Sequence, residues 1–116
     1  QIYFMNKINL NDFKKVDIRV GTIIEAAESN NLIKPSIILK IDFGKIIGIK
    51  KSSAQLRANY SVKNLLNKQV AAVMNFESKQ IGKIISEVLV LGFPDLDNEP
   101  ILIVPEKKIQ NGSKLY

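Results

Sequence analysis

Apolar residues in this chain gather in short runs of strand length, separated by polar stretches. Val70 to Met74 and Val88 to Leu91 are continuous apolar runs, the pattern of strands buried on both faces. Between them the chain turns polar and basic, and Lys79, Gln80, Gly82 and Lys83 read as a loop. Polar loops held between rigid strands are common places for binding residues. Upstream, Val16 to Glu28 reads as a long first strand. There Ile18, Val20, Thr22 and Ile24 alternate with Asp17, Arg19, Gly21 and Ile23, a period of two. Gly21 in mid-strand predicts a bulge or sharp bend. Small barrels use such bends to coil one strand through both halves of the sheet. Ser29 to Pro35 reads as a loop. Ile37 to Phe43 and Lys45 to Ile49 read as two strands joined at Gly44. In the first, Ile37, Leu39, Ile41 and Phe43 share a face; in the second, Ile47 and Ile49 do. Phe93 to Pro100 is an acidic turn leading to a last strand, Ile101 to Val104.

Helix signals are few. Asn11 or Asp12 can cap one short turn, with Phe13 packed beneath it. Ser52 and Gln55 stand at the S-x-x-Q spacing of a capping box, which predicts a helix start. Free N–H groups at such a start attract anions, and Lys50 and Lys51 just before it favour phosphate. The alternative is a surface cap with solvated lysines. Asn59 to Asn67 reads as a polar connector anchored by Leu65 and Leu66, and Asn111-Gly112 as a turn. About six strands with little helix predict a small all-β barrel. The length fits one domain. Gln1 to Phe4, ahead of Met5, read as a leader remnant, leaving 5–116 as the domain.

Composition narrows the chemistry. The chain has no histidine and no cysteine. Zinc sites of the usual kind and His- or Cys-dependent nucleophile systems are therefore excluded, which favours a binding module over an enzyme. No metal or cofactor is expected. Absence of cysteine, and of a signal peptide near the start, fits a cytoplasmic protein. No apolar run approaches the roughly 20 residues of a membrane span. The net charge is +6, and it is unevenly spread. Lys34 to Lys83 holds ten basic and two acidic residues, whereas the flanks are slightly acidic. A basic middle suggests an anionic partner met by one face; the competing reading is a solvated, solubilising surface. Asn75, at the end of its strand, can pair with a base edge or phosphate, or cap backbone groups locally. Arg19 can meet an anion or pair with Asp17.

Three blocks resemble the CsaA family within the tRNA-binding-domain superfamily, which includes the C-terminal domain of bacterial methionyl-tRNA synthetase and EMAP II-like domains. They are Asp17 to Gly21 (DIRVG), Ile47 to Gln55 (IGIKKSSAQ), and Val73 to Phe76 (VMNF) with Ser86 to Gly92 (SEVLVLG). The likeness runs from about Asp12 to Gly112. It implies an OB-fold, a five-stranded Greek-key barrel, with short extensions at both ends that make a homodimer. It also implies tRNA binding, and CsaA-like members are described as export-related chaperones. Carried over by position, the RNA-facing candidates are Arg19, Lys50, Lys51, Ser52, Asn75, Lys79 and Ser86; charge adds Lys83. Family members commonly have Pro-Pro where this chain has Glu77-Ser78. That change loosens the loop and sets a negative charge beside the site. The resulting expectation is a non-enzymatic tRNA-binding homodimer. The alternative is a chaperone for unfolded polypeptides, which requires an exposed apolar groove.

Overall fold

The apolar runs do become strands. The computed structural model describes residues 3–29 and 35–116. In chain order the elements are α1 (Leu10–Lys14), β1 (Ile18–Ser29), β2 (Ser36–Asp42), β3 (Ile49–Ala54), α2 (Val62–Leu65), β4 (Gln69–Val73), β5 (Lys79–Ile81), β6 (Ile84–Ser86), β7 (Leu89–Val90), β8 (Gly92–Pro94) and β9 (Pro100–Leu102). Five strands form one antiparallel sheet in the order β3-β2-β1-β4-β7. The sheet curls, and its two outer strands approach each other. Ser52 on β3 donates its hydroxyl to the Val88 carbonyl at 3.0 Å, and the Glu87 amide donates to the Lys51 carbonyl at 2.8 Å. The result is the curled, nearly all-β half-barrel of an OB-fold.

The core lies inside the curl. Ile23, Ile37, Leu39, Ile41, Leu65 and Val70 are fully buried, with Phe43 and Leu56 close to it. Each such side chain contributes about 1.5–3 kcal/mol over leaving it in water. The inward set on β2, Ile37, Leu39, Ile41 and the following Phe43, is as the alternation predicts. On β1 the core face is carried instead by Gly21 and Ile23, while Ile24 turns outward. The register slips between Ile23 and Glu25, so the bulge sits two to three residues beyond Gly21. Gly21 is needed for packing instead. A Cβ there would lie 2.7 Å from both Ile41 Cγ2 and Phe43 Cδ1. Its missing side chain lets two core residues pack against the β1 backbone.

Two local expectations fail for nonlocal reasons. Of Lys45 to Ile49 only Ile49 is strand, the first residue of β3. The rest is a tight turn whose ends are Gly44 (φ 94°) and Gly48 (φ 85°), closed by Gly48 N–H to Gly44 O at 2.7 Å. Both values lie in the left-handed region, which breaks the extended run. Ser52 to Gln55 starts no helix, because Ile49 to Ala54 pairs residue for residue with β2. The capping box is at α2 instead. Ser61 Oγ accepts from Asn64 N–H at 3.2 Å, and Asn64 Oδ1 accepts from Ser61 N–H at 2.9 Å. Leu65 then anchors the turn in the core, while Leu66 stays half exposed. The short turn α1 forms as expected, but Asn9 caps it through Asp12 N–H at 2.8 Å. The predicted Ser29 to Pro35 loop lies largely outside the described residues.

The far end of the chain returns to the start of β1. Residues 112–115 run beside it, with Gly112 N–H to Val20 O at 2.8 Å and Leu115 N–H to Ile18 O at 2.8 Å. Arg19 pins this segment from the side, as its guanidinium donates to the Gly112 carbonyl at 2.9 Å. The acidic turn joins β8 to β9, and Asp95 organises it. Its carboxylate accepts from the Asn59 side-chain amide at 2.8 Å and from the Asp97 and Glu99 amides at 2.8 and 3.0 Å. The Asn59 bond, followed by the Glu99 amide, holds its pKa below the ordinary carboxylate value of 3.8. A depressed carboxylate stabilises above its unfolded pKa, and the contribution is lost as pH falls through the folded one. Amide protection in this turn, taken relative to intrinsic exchange at each pH, is therefore expected to hold down to about pH 4 and to fall at lower pH. The Asp95→Asn variant should show exchange that is faster throughout and free of that acid transition.

Candidate nucleic-acid interface

The basic stretch between β4 and β7 is a hairpin rather than an open loop. β5 and β6 pair Lys79 with Ser86, Gln80 with Ile85 and Ile81 with Ile84. Gly82 and Lys83 make the two-residue turn, with Gly82 at φ 62°. Glycine first with positive φ is the arrangement of a type II′ turn, whose twist suits a hairpin. The hairpin base is stapled to the barrel edge. Ser86 Oγ accepts from the Ser53 amide at 3.1 Å, and Glu87 Oε1 accepts from the Lys51 amide at 3.0 Å. The hairpin therefore projects from β3 at a fixed place.

This arrangement sorts the sequence candidates into two groups. Lys51, Lys79 and Lys83 are exposed, and among the described residues none of the three has an ion-pair partner within 4.0 Å. Lys51 lies on β3 beside the hairpin base, and Lys79 and Lys83 lie on the hairpin itself. Lys50 is different, since its ammonium is 3.9 Å from Glu87 Oε2, which offsets part of its field.

The others frame the site. Ser52 is 1 % exposed and spends its hydroxyl on Val88, so it closes the barrel. The phosphate-binding helix start expected there does not exist. Ser86 is half buried at the staple. Asn75 caps backbone groups, but distant ones rather than the local ones expected. It accepts from Asp17 N–H at 3.0 Å and donates to the Lys15 carbonyl at 2.7 Å, fastening α1 to the end of β4. Arg19 pairs with Asp17 at 2.8 Å while holding Gly112. Sequence reading missed Glu87; its ion pair with Lys50 and its bond to the Lys51 backbone amide, 36 residues away, exist only once β3 meets the hairpin base. It also missed the exposed lysines past Pro105.

The chain belongs to the tRNA-binding domain family: the family described as "Putative tRNA binding domain" matches residues 18–114. Two solved CsaA chaperone structures are similar to it over their whole length. The one from Picrophilus torridus is 48 % identical, covers 95 % of this chain and superposes with a TM-score of 0.86. The one from Bacillus anthracis is 38 % identical, covers 96 % of this chain and reaches 0.88. The methionine–tRNA ligase of Pyrococcus horikoshii is 35 % identical over 111 residues, 96 % of this chain. The chain spans only 15 % of that ligase.

Proposed function

We propose that this chain binds folded tRNA as a homodimer and does no chemistry on it. The observation that carries the reading is membership of the tRNA-binding domain family, joined to unpaired lysines on a stapled hairpin. In this reading Lys51, Lys79 and Lys83 neutralise phosphates, with Lys50 as a weaker fourth because Glu87 competes for it. Ser52, Ser86, Asn75 and Arg19 hold the strands and ends that place those lysines. The chain has no Trp and Phe43 is buried, but Phe76 and Phe93 are more than half exposed, so backbone and shape recognition can be joined by base stacking on those two rings. With about four phosphates engaged, log K for tRNA should fall with log salt at a slope of about −3. Measured binding across a salt series tests this, and a flat response overturns it.

Homodimer formation is supported by apolar side chains left in solvent at both ends of the chain. Met5, Ile8 and Leu10 at one end and Leu115 and Tyr116 at the other are all more than half exposed. A groove of about 500 Å³ opens beside the tail, lined by Ile18, Val20, Ile103, Ile109 and Leu115. A second subunit would cover such surface. Light scattering at micromolar concentration should give twice the chain mass, and a monomer mass removes the dimer from the proposal. The same groove and the likeness to CsaA chaperones favour a second reading, binding of unfolded polypeptide. Competition by apolar peptides with weak salt dependence would distinguish it. A cytoplasmic setting fits either reading. Among the described residues no helix is long and apolar enough to cross a membrane.

A further inference from the structure

A second basic feature lies at the opposite end of β4 from the hairpin. It is a cleft of about 420 Å³ between the turn that precedes β4 and the segment after β9. Lys68 stands on one wall, and Lys107 and Lys108 on the other, with Asn67 and Glu106 also at the lining. Three lysines and one glutamate line it, and none of the three lysines is ion-paired among the described residues.

Both walls are pinned. On the first, Asn67 N–H donates to Ile23 O at 2.9 Å, Ile23 N–H donates to Lys68 O at 2.9 Å, and Lys68 N–H donates to Leu65 O at 3.1 Å. These bonds hold Asn67 in the left-handed region at φ 68°. On the second, the Gln69 side chain acts as a peptide group would. Its Nε2 donates to Ile109 O at 2.6 Å, and its Oε1 accepts from Ile109 N–H at 3.0 Å. Asn111 Oδ1 accepts from both Gln69 Nε2 and Thr22 Oγ1, at 3.0 and 2.8 Å. The polar floor is thus satisfied internally, while the lysines above it are not. Lys68 has a neighbour in the Tyr60 ring, whose centroid is 6.0 Å from the ammonium. At that range the contact is weak and leaves the charge open to an anion. Gathering like charges on fixed backbone raises the local potential, and an anion relieves it.

We propose that this cleft is a second phosphate-contact site for the same folded RNA, an inference that rests on the tRNA-binding reading above. β4 itself is about 13 Å long, four residue steps at roughly 3.3 Å each, with the cleft at its start and the hairpin following its end. A ligand touching both must span the barrel, as a folded RNA does and a mononucleotide does not.

Two measurements test it. In the first, the isotope-labelled full chain is titrated with tripolyphosphate. The amides of Asn67, Lys68, Lys107 and Lys108 should shift, and the shifts should fall away in a Lys107→Gln/Lys108→Gln variant. Absence of shifts in the wild type overturns the anion site whatever RNA does. In the second, tRNA binding is followed across salt for the wild type, this variant and Lys79→Gln/Lys83→Gln. Each pair should lower the steepness of the salt slope by about 2, one per lysine. A slope unchanged in the cleft variant, with the hairpin variant affected, removes the cleft and leaves the proposed function standing. Tripolyphosphate shifts with no tRNA binding by the wild type overturn the proposed function and the RNA assignment of the cleft together.

Discussion

The Lys79→Glu/Lys83→Glu variant should lose tRNA affinity by two to three orders of magnitude near 0.1 M salt, while its thermal midpoint stays unchanged. The size follows from charge. Each substitution removes one positive and adds one negative unit, and a unit pair at contact is worth about 1 kcal/mol in water. Four units then amount to about 4 kcal/mol as an upper limit, or nearly a thousandfold. The salt slope should flatten by about 2. Stability should hold because both side chains are exposed and neither has an ion-pair partner among the described residues. The turn conformation rests on Gly82, and the staple rests on Ser86 and Glu87. The same exchange at Arg19 is a poor probe. Arg19→Glu breaks the Asp17 pair and the Gly112 tether together, so lost binding there would report a loosened chain end. Unchanged tRNA affinity in the hairpin variant, measured by filter binding or anisotropy, would move the interface elsewhere on the barrel.

The largest effect on stability is expected from the smallest substitution. Gly21→Ala puts a methyl group 2.7 Å from Ile41 Cγ2 and from Phe43 Cδ1. Both neighbours are buried and belong to the core wall, so neither can swing into solvent. Overpacking of this kind costs about 1–3 kcal/mol, and the upper end applies where two branched or aromatic neighbours must move at once. At this chain length 1 kcal/mol corresponds to roughly 4 °C in Tm, so a fall of about 8–12 °C is expected by calorimetry. A Gly21→Ala/Ile41→Val pair should recover part of it, since Ile41→Val removes one methyl of the crowded residue. A variant as stable as the parent would mean that β1 can back away from β2, and that Gly21 is free for other reasons.

Gly21 also shows what a sequence does and does not disclose. Its position in mid-strand marked it as special, but not why. The bulge it predicts is at Ile24, because the register is settled by pairing with β2, where Ile23 meets Ile41 and Glu25 meets Lys40. The strands themselves were legible wherever burial was periodic or continuous, as on β2 and β4. The S-x-x-Q spacing misled because it is a local signal, and Ser52 is governed by Leu39 across the ladder and by Val88 across the seam. Asn75 and Arg19 each read two ways, as a ligand contact or as a structural bond. The Arg19–Asp17 pair was legible because the two are close in sequence, whereas the Gly112 tether and the bonds from Asn75 to Lys15 and Asp17 are brought by the fold. Charge was legible in amount and in neighbourhood. Which lysines are unopposed was not, because Glu87 meets Lys50 only after the barrel closes.

The hairpin of β5 and β6 stands outside the five-stranded ladder, joined to it at its base. The barrel's pairing is complete in β1, β2, β3, β4 and β7, and the core residues lie almost entirely on those strands and the turns between them. In the proposed reading, the hairpin's share of recognition is separable from folding, whereas that of Lys50 and Lys51 sits on β3 within the ladder. Residues 79–83 form an exchangeable cassette: their length, charge and turn can be rewritten while the scaffold keeps its own rules. In that reading, the barrel can change its RNA contacts at the hairpin without being redesigned to fold.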